Sequence, residues 1–145
     1  MIILDNLKAS YNVPKILRSI QAFGGEEVHL INIGIFDPAP SKGAFRNVPA
    51  FFHKNIDQAI EFLLKKKYTI YALSIEAEKS LEDSKVAKKS AFIIGHEEKG
   101  FSFDIKKYKE INEVKISLYG SMQSLNGSIA ASIAMYEYTK QHCKN

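Results

Sequence analysis

The polar residues best placed to do chemistry fall in three short segments of the chain. The first, ASYNVPKILRSIQAFG, contains Asn12 and, six residues later, Arg18. If a helix begins near Asn12, the arginine lies almost two turns further along it. Taken alone, the pair predicts a helix cap, with Pro14 in an early helical position, and an arginine on the surface.

The second segment, FIIGHEEKGFS, is an apolar strand that runs into a turn bounded by Gly95 and Gly100. A phosphate-binding P-loop needs lysine and then serine or threonine directly after its second glycine, and Phe101 stands there instead. The pair His96-Glu97 lacks the second histidine of a zinc-binding helix. These departures argue against a nucleoside triphosphatase and against a zinc site, and alone the segment indicates a tight turn.

The third segment, SMQSLNGSIAASIAMYEY, places a polar cluster directly before a helix of small side chains. Ser124 does not fit the nucleophile elbow of a hydrolase, because Met122 and Asn126 occupy the two positions where that motif needs glycine. Taken alone, the serine and asparagine of this cluster indicate the cap of the last helix.

Composition narrows the class of protein. The chain has 145 residues, of which 46% are hydrophobic and 25% charged, and a formal net charge of +4. These values predict one globular domain over residues 1–145, and the basic balance is compatible with an anionic partner. Because Cys143 is the only cysteine and no apolar run approaches ~18 residues, we expect a cytoplasmic protein without a disulfide, a metal site or a membrane span.

Strand-like segments alternate with amphipathic segments along the chain. The predicted strands are MIILDNL, EEVHLINI, TIYALSI, SAFIIG and EVKISL. A first helix is predicted from near Asn12 to Gly24-Gly25, and a second from Asn55 to the lysines at 65–67, whose charges favour the carboxyl end of a helix. This alternation predicts a mostly parallel sheet with helices on both faces, which binds ligands beyond the carboxyl ends of its strands.

In this order and spacing, the three segments resemble the three motifs of the SpoU family, also called the TrmH family, of RNA ribose 2′-O-methyltransferases. LDNLKASYNVPKILRSIQAFG is similar to the first motif, FIIGHEEKGFS to the second, and VKISLYGSMQSLNGSIAASIAMYE to the third. Each motif alone is a weak signal. Their shared order over nearly the whole chain makes the resemblance specific.

The resemblance implies a SPOUT fold, an α/β domain whose C-terminal part is threaded into a deep trefoil knot. It implies S-adenosyl-L-methionine as the cofactor and a homodimer with active sites at the subunit interface. The positions that match the family's cofactor-binding residues are Leu73, Gly95, Ile116 and Leu125. The positions that match its catalytic residues are Asn12, Arg18, Glu97, Ser124 and Asn126.

For this chain we expect Arg18 to bind a substrate phosphate and stabilise developing negative charge, since guanidinium stays protonated. We expect Glu97 to organise its glycine turn through hydrogen bonds. The stripe of Gly127, Ala130, Ala131 and Ala134 predicts a close helix contact, in the knot core or in the dimer interface.

Two residues beside the proposed cofactor loop depart from the family pattern. Ser117 stands where the family commonly has proline, and Gly127 where it commonly has valine. We expect a single domain without the terminal extensions that many relatives use to grip RNA. We therefore expect RNA contacts from the single domain itself, and the candidates are Lys15, Lys42, Arg46 and Lys54, the middle two from the irregular loop 34–48.

The resemblance favours tRNA as the substrate, with a D-loop guanosine ahead of the wobble position, and leaves ribosomal RNA open. Two other readings remain. One is a module that binds S-adenosylmethionine and RNA without catalysis, which the changes at Ser117 and Gly127 would permit. The other is a different doubly wound enzyme, such as a nucleotide-binding oxidoreductase, although LDNLKAS stands where that class has G-x-G-x-x-G.

Overall fold

The computed structural model describes residues 1–143, which form an α/β structure around a six-stranded parallel sheet. The strand order is β3-β2-β1-β5-β4-β6. The strands are β1 (Ile2–Asp5), β2 (Val28–Ile31), β3 (Ala50–His53), β4 (Thr69–Leu73), β5 (Ser90–Ile94) and β6 (Ile111–Val114). The predicted parallel sheet is confirmed, because every neighbouring pair of strands runs in the same direction.

Helices cover both faces of the sheet, as predicted. They are α1 (Ala9–Ala22), α2 (Ile56–Lys65) and α3 (Gly127–His142), with short 3₁₀ turns at 39–41, 44–46 and 105–107. Because strand side chains alternate between faces, Leu4 and Phe92 pack in the core under α1 and α3, whereas Ile3 and Ile93 pack in a second core under α2.

The structure corrects two strand predictions. β3 was missed: it is a short edge strand, AFFH, with three of its four residues exposed, and it directly follows the irregular loop. The predicted strand EVKISL is displaced, because the sheet strand β6 ends at Val114. Beyond it, Lys115 exchanges backbone hydrogen bonds with the segment between β4 and β5, donating to Lys79 O and accepting from Leu81 N.

The start of α1 also differs from the prediction. Lys8 is the N-cap residue and makes no side-chain cap bond, so the prediction that Asn12 caps this helix is wrong. Asn12 lies one turn inside, where its side chain is held by residues from other segments. Pro14 accordingly lies within the helix, not at its first position, and contributes no backbone N–H to it.

The other two helices have the predicted asparagine caps. Asn55 Oδ1 accepts a hydrogen bond from Gln58 N at 3.2 Å at the start of α2. Asn126 Oδ1 accepts one from Ser128 N at 2.9 Å at the start of α3. Each cap satisfies one of the unpaired N–H groups of a first helical turn.

The segment 74–89, which joins β4 to β5, contacts the last part of the described chain at two places. Its first half bonds the stretch after β6, where Ser117 N donates to Glu82 Oε1 at 3.1 Å. Its second half bonds the end of α3, where Gln141 accepts from Val86 N at 3.0 Å and donates to Ser84 O at 3.0 Å. Segment 74–89 is therefore hydrogen-bonded to both ends of the stretch 115–142.

Candidate functional site

A cleft lined mainly by apolar surface lies at the carboxyl ends of β4, β5 and β6, the edge where the parallel sheet predicts ligand binding. Its volume is about 400 Å³, within the range of small-molecule sites. The four residues matched to cofactor binding all line it: Leu73, Gly95, Ile116 and Leu125. Glu97 and the exposed Ser124 line it as well.

The turn after β5 forms one wall of this cleft, and His96 holds it together. His96 and Gly100 exchange both backbone hydrogen bonds at 2.9 Å. The His96 Nδ1 atom accepts from Glu98 N at 3.1 Å and Lys99 N at 3.2 Å. A Cβ atom on Gly95 would lie 3.0 Å from the backbone of Gly100, so this tight turn needs glycine at its start.

The expectation that Glu97 organises this turn is therefore wrong. Its side chain points away from the turn, and its Oε1 atom accepts from Asn12 Nδ2 on α1 at 2.7 Å and from Gly127 N at the start of α3 at 3.3 Å. The role of His96 was not predicted, because no local signal distinguishes it from Glu97 as the residue that holds the turn.

Asn12, Glu97 and Asn126 form one hydrogen-bonded group drawn from the three sequence segments. Asn126 Nδ2 donates to Asn12 Oδ1 at 3.0 Å, and Asn12 in turn donates to Glu97. Asn12 is 6% exposed, so its amide is held in a single orientation by partners on both sides. The positive end of the α3 dipole further favours the carboxylate beside it.

One atom of this group has no partner. The Oε2 atom of Glu97 is buried and accepts no hydrogen bond from residues 1–143. A buried carboxylate oxygen without a donor is unfavourable by about 1–3 kcal/mol or more. Glu97 is also one of the residues that line the cleft.

Gly127 fits this site because a larger residue would force the neighbouring side chains to shift. A Cβ atom there would lie 2.9 Å from Leu7 Cδ1 and 3.2 Å from Glu97 Oε1. Gly127, Ala131 and Ala134 are buried against this chain's own core, and Ala130 lines the cleft. The small-residue stripe is thus an internal packing surface, and α3 presents other residues outward.

The other departure, Ser117, also has a structural consequence. Its backbone N–H donates to Glu82 Oε1, a bond that proline could not make. The stretch that carries Ile116 into the cleft is thereby tied to the segment 74–89.

Arg18 does not join the Asn12 group. It is exposed and makes no hydrogen bond or ion pair with the described part of the chain. Six residues separate it from Asn12, which is about 9 Å along a helix and on a different side of it. Its neighbour Ser19 faces α3, with its Oγ atom 2.9 Å from Ser132 Oγ. The arginine itself lies on the exposed surface of α1.

A buried aspartate anchors the segment beyond the turn. Asp5, at the end of β1, accepts from Ser102 N and Ser102 Oγ, each at 2.6 Å. Burial raises the pKa of its carboxyl group, while the two bonds from Ser102 lower it. The Asp5–Ser102 pair was not predicted from the sequence. It ties the chain that follows the turn to the end of β1.

The expected RNA-contact residues Lys15, Lys42, Arg46 and Lys54 are all exposed. Within residues 1–143, no three histidine, cysteine, aspartate or glutamate side chains are grouped so that they could hold a metal ion. None of the helices in the same range is both long and apolar enough to span a bilayer.

Comparison of the sequence with known proteins identifies relatives over almost the whole chain. A family model described as the SpoU rRNA Methylase family matches residues 1–136. A tRNA (guanosine(18)-2′-O)-methyltransferase of Thermus thermophilus is 28% identical, over 99% of this chain and 75% of the relative. A 23S rRNA (guanosine-2′-O-)-methyltransferase of Coxiella burnetii is 30% identical, over 97% of this chain but only 58% of the relative.

Solved structures share the fold. A TrmH/SpoU tRNA modifying enzyme of A. aeolicus superposes with a TM-score of 0.86 at 23% identity, over 97% of this chain and 74% of that one. The SpoU methyltransferase AviRb from Streptomyces viridochromogenes, solved in complex with AdoMet, gives 0.87 at 19% identity, over 99% of this chain and 58% of that one.

Proposed function

The chain belongs to the SpoU rRNA methylase family, and on this basis we propose that it transfers a methyl group from S-adenosylmethionine to a ribose 2′-hydroxyl of RNA. The observation that carries the proposal is the hydrogen-bonded group of Asn12, Glu97 and Asn126 at the cofactor-sized cleft. Residues from three distant segments meet there.

The cleft suits the cofactor. Its volume of about 400 Å³ and its mixed apolar and polar lining fit a nucleoside with a charged side chain. Leu73 and Ile116 would provide apolar contacts, and Gly95 and Leu125 would offer backbone groups. The partnerless Glu97 Oε2 is an acceptor for a ligand donor. When bound, S-adenosylmethionine supplies an electrophilic methyl group, so the protein needs no nucleophile of its own.

The polar residues have separate tasks in this proposal. Glu97 fixes Asn12 and the start of α3, and Asn12 in turn orients Asn126. Ser124 and Asn126, exposed beside the cleft, position the ribose. Holding reactants in line can lower a barrier by about 7–11 kcal/mol. Arg18 binds the adjacent phosphate and stabilises negative charge that develops on the hydroxyl oxygen, an effect of about 3–4 kcal/mol for a single well-placed donor.

This role for Arg18 requires a second copy of the chain. Arg18 is exposed on α1 on the same side as Tyr11, seven residues earlier, which is 72% exposed. The adjacent helix α3 exposes Ile129 and Tyr136, which are also seven residues apart. We propose that these residues form the homodimer interface and that Arg18 thereby reaches the partner's cleft.

We also propose that the chain is threaded as a trefoil knot. The support is that segment 74–89 bonds both the stretch entering the cleft, at Lys115 and Ser117, and the end of α3, at Gln141 and His142. If the 115–142 stretch passes through the loop 74–89, the loop is expected to contact both ends of that stretch, as these hydrogen bonds do.

For the RNA, we propose tRNA, with a D-loop guanosine ahead of the wobble position. The name of the Thermus relative supports this choice. This chain covers 75% of that relative but 58% of the Coxiella relative. Ribosomal RNA is the competing substrate.

Two measurements test the proposal. Titration calorimetry should detect S-adenosylmethionine binding, and incubation with methyl-labelled cofactor and either tRNA or rRNA should place the label on ribose. Binding without incorporation into either RNA would favour a non-catalytic module, and no binding at all would reject the proposal.

A further inference from the structure

The amino-terminal edge of the sheet, opposite the cleft, carries a cluster of exposed lysines that the proposed chemistry does not use. The amino-edge cluster consists of Lys65, Lys66, Lys67, Lys88 and Lys89. The first three precede β4 and the last two precede β5. Because Thr69 of β4 pairs with Ser90 of β5, the two groups lie side by side at the same edge.

Direct contacts confirm that the two groups meet. Lys89 Nζ donates to the backbone oxygen of Lys66 and lies 5.0 Å from the centre of the Tyr68 ring. Lys66 Nζ lies 5.2 Å from the centre of the Phe62 ring. Aromatic rings therefore lie next to the lysine ammonium groups, which form a positively charged surface at this edge.

Three carboxylates lie near this edge, and each already has a partner. Glu61 pairs with Lys65 at 3.3 Å, Glu26 accepts from the Tyr68 hydroxyl at 2.6 Å, and Glu27 contacts His29 at 3.0 Å. The ammonium groups of Lys67 and Lys88 have no hydrogen-bond or ion-pair partner within residues 1–143, and both residues are exposed.

The side chains of this edge carry a net positive charge. Five lysines lie there against three carboxylates, Glu26, Glu27 and Glu61. Like charges this close repel one another, and a bound polyanion removes that cost while releasing counterions. Nucleic-acid phosphates match such a surface because they are regularly spaced anions.

We infer that the amino-edge cluster binds phosphate groups of the RNA substrate away from the nucleotide that enters the cleft. This inference rests on the proposed function. From Thr69 to Leu73 the sheet is about 13 Å long, so the two sites are separated by a distance that a folded RNA can span. The cluster would supply general affinity, since lysine contacts to phosphates carry no sequence information.

The test measures the binding of fluorescently labelled, unfractionated tRNA over a range of about 50 to 200 mM salt. Lys67→Gln combined with Lys88→Gln removes the two unpartnered charges at the edge. Lys67→Arg combined with Lys88→Arg keeps them. Lys79→Gln combined with Lys106→Gln removes two exposed charges outside the cluster, and is the control for position.

We expect the edge glutamine variant to bind tRNA several-fold more weakly and to lower the slope of log K against log salt by about 1.5. The arginine variant should behave as the wild type, and the position control should change less. Equal effects of the edge and control glutamine pairs would overturn the inference, and so would an unchanged slope.

The results can distinguish failure of the lysine site from failure of the proposed methyltransferase function. Methyl transfer by the wild type with unaltered tRNA affinity in the edge variant would reject the lysine site alone. Edge-dependent tRNA binding without any methyl transfer would support the lysine site and reject catalysis. If the wild type binds neither tRNA nor rRNA, both ideas fail.

Discussion

The Oε1 atom of Glu97 lies 2.7 Å from the Nδ2 atom of Asn12, although 85 positions separate the two residues in the sequence. The same oxygen accepts from the backbone of Gly127 at the start of α3. One carboxylate thus joins the turn after β5 to two helices that pack side by side, and it fixes the rim of the cleft where they meet.

Replacing Glu97 by alanine should destabilise the protein by about 1–3 kcal/mol, because Asn12 and Gly127 would each lose the acceptor of a part-buried donor. Glu97→Gln retains one acceptor oxygen and should cost less. The free energy of unfolding, from urea titration, measures both. Glu98→Gln, at the exposed neighbouring position, should leave stability unchanged. Wild-type stability in the alanine variant would contradict the bridging role.

Gly127→Ala should also destabilise the protein by about 1–3 kcal/mol, because the added Cβ would meet Leu7 and Glu97 in a packed region. The matched control is Gly120→Ala, since a Cβ at Gly120 has nothing within 4 Å and its backbone needs no glycine. Thermal unfolding of the two variants checks the prediction. Equal melting temperatures would mean that the neighbours of Gly127 give way freely.

Arg18→Ala should abolish methyl transfer and leave the affinity for S-adenosylmethionine nearly unchanged, because Arg18 lies outside the cleft of its own chain. Calorimetry and methyl incorporation together measure this separation. Lys79→Ala, at an exposed position outside the cleft, removes the same charge and should retain turnover. A large loss of cofactor binding in Arg18→Ala would refute the assigned role.

Acidification should weaken the fold through a buried histidine pair. His29 Nδ1 lies 2.7 Å from His53 Nε2, and burial lowers the pKa of both imidazoles below the ordinary 6.5. Between the lowered and ordinary values the unfolded chain binds more protons than the folded one. Stability is therefore present above pH 6.5 and is lost as the pH falls through the lowered folded-state values.

Urea titrations at about pH 7.5 and about pH 5.5 would measure the loss, and His53→Gln should reduce it because one of the two titrating groups is gone. A free energy of unfolding that stays constant or rises on acidification would contradict this reading of the pair.

The sequence was sufficient for the parallel sheet and for the three segments that meet at the cleft. The apolar run SAFII is short and is followed by glycine, which favours a buried strand, and Asn126 next to a run of small residues is a local cap signal. The resemblance to a family then supplied which of the polar residues belong together.

The parts that could not be predicted depend on contacts between distant residues. Nothing local shows that Glu97 turns toward Asn12 while His96 holds the turn, because both side chains could accept the same backbone donors. α1 begins before Asn12 because that residue is bound from outside the helix. β3 is short and largely exposed, so only its pairing with β2 defines it.

The most direct test of the central claim is mass spectrometry of nucleosides from tRNA and rRNA incubated with the protein and S-adenosylmethionine, with Arg18→Ala in parallel. The proposed function predicts a 2′-O-methylated nucleoside, guanosine from tRNA in the favoured case, that appears with the wild type and not with the variant. Methylation found on a base, or no methylated ribose in either RNA despite measured cofactor binding, would contradict it.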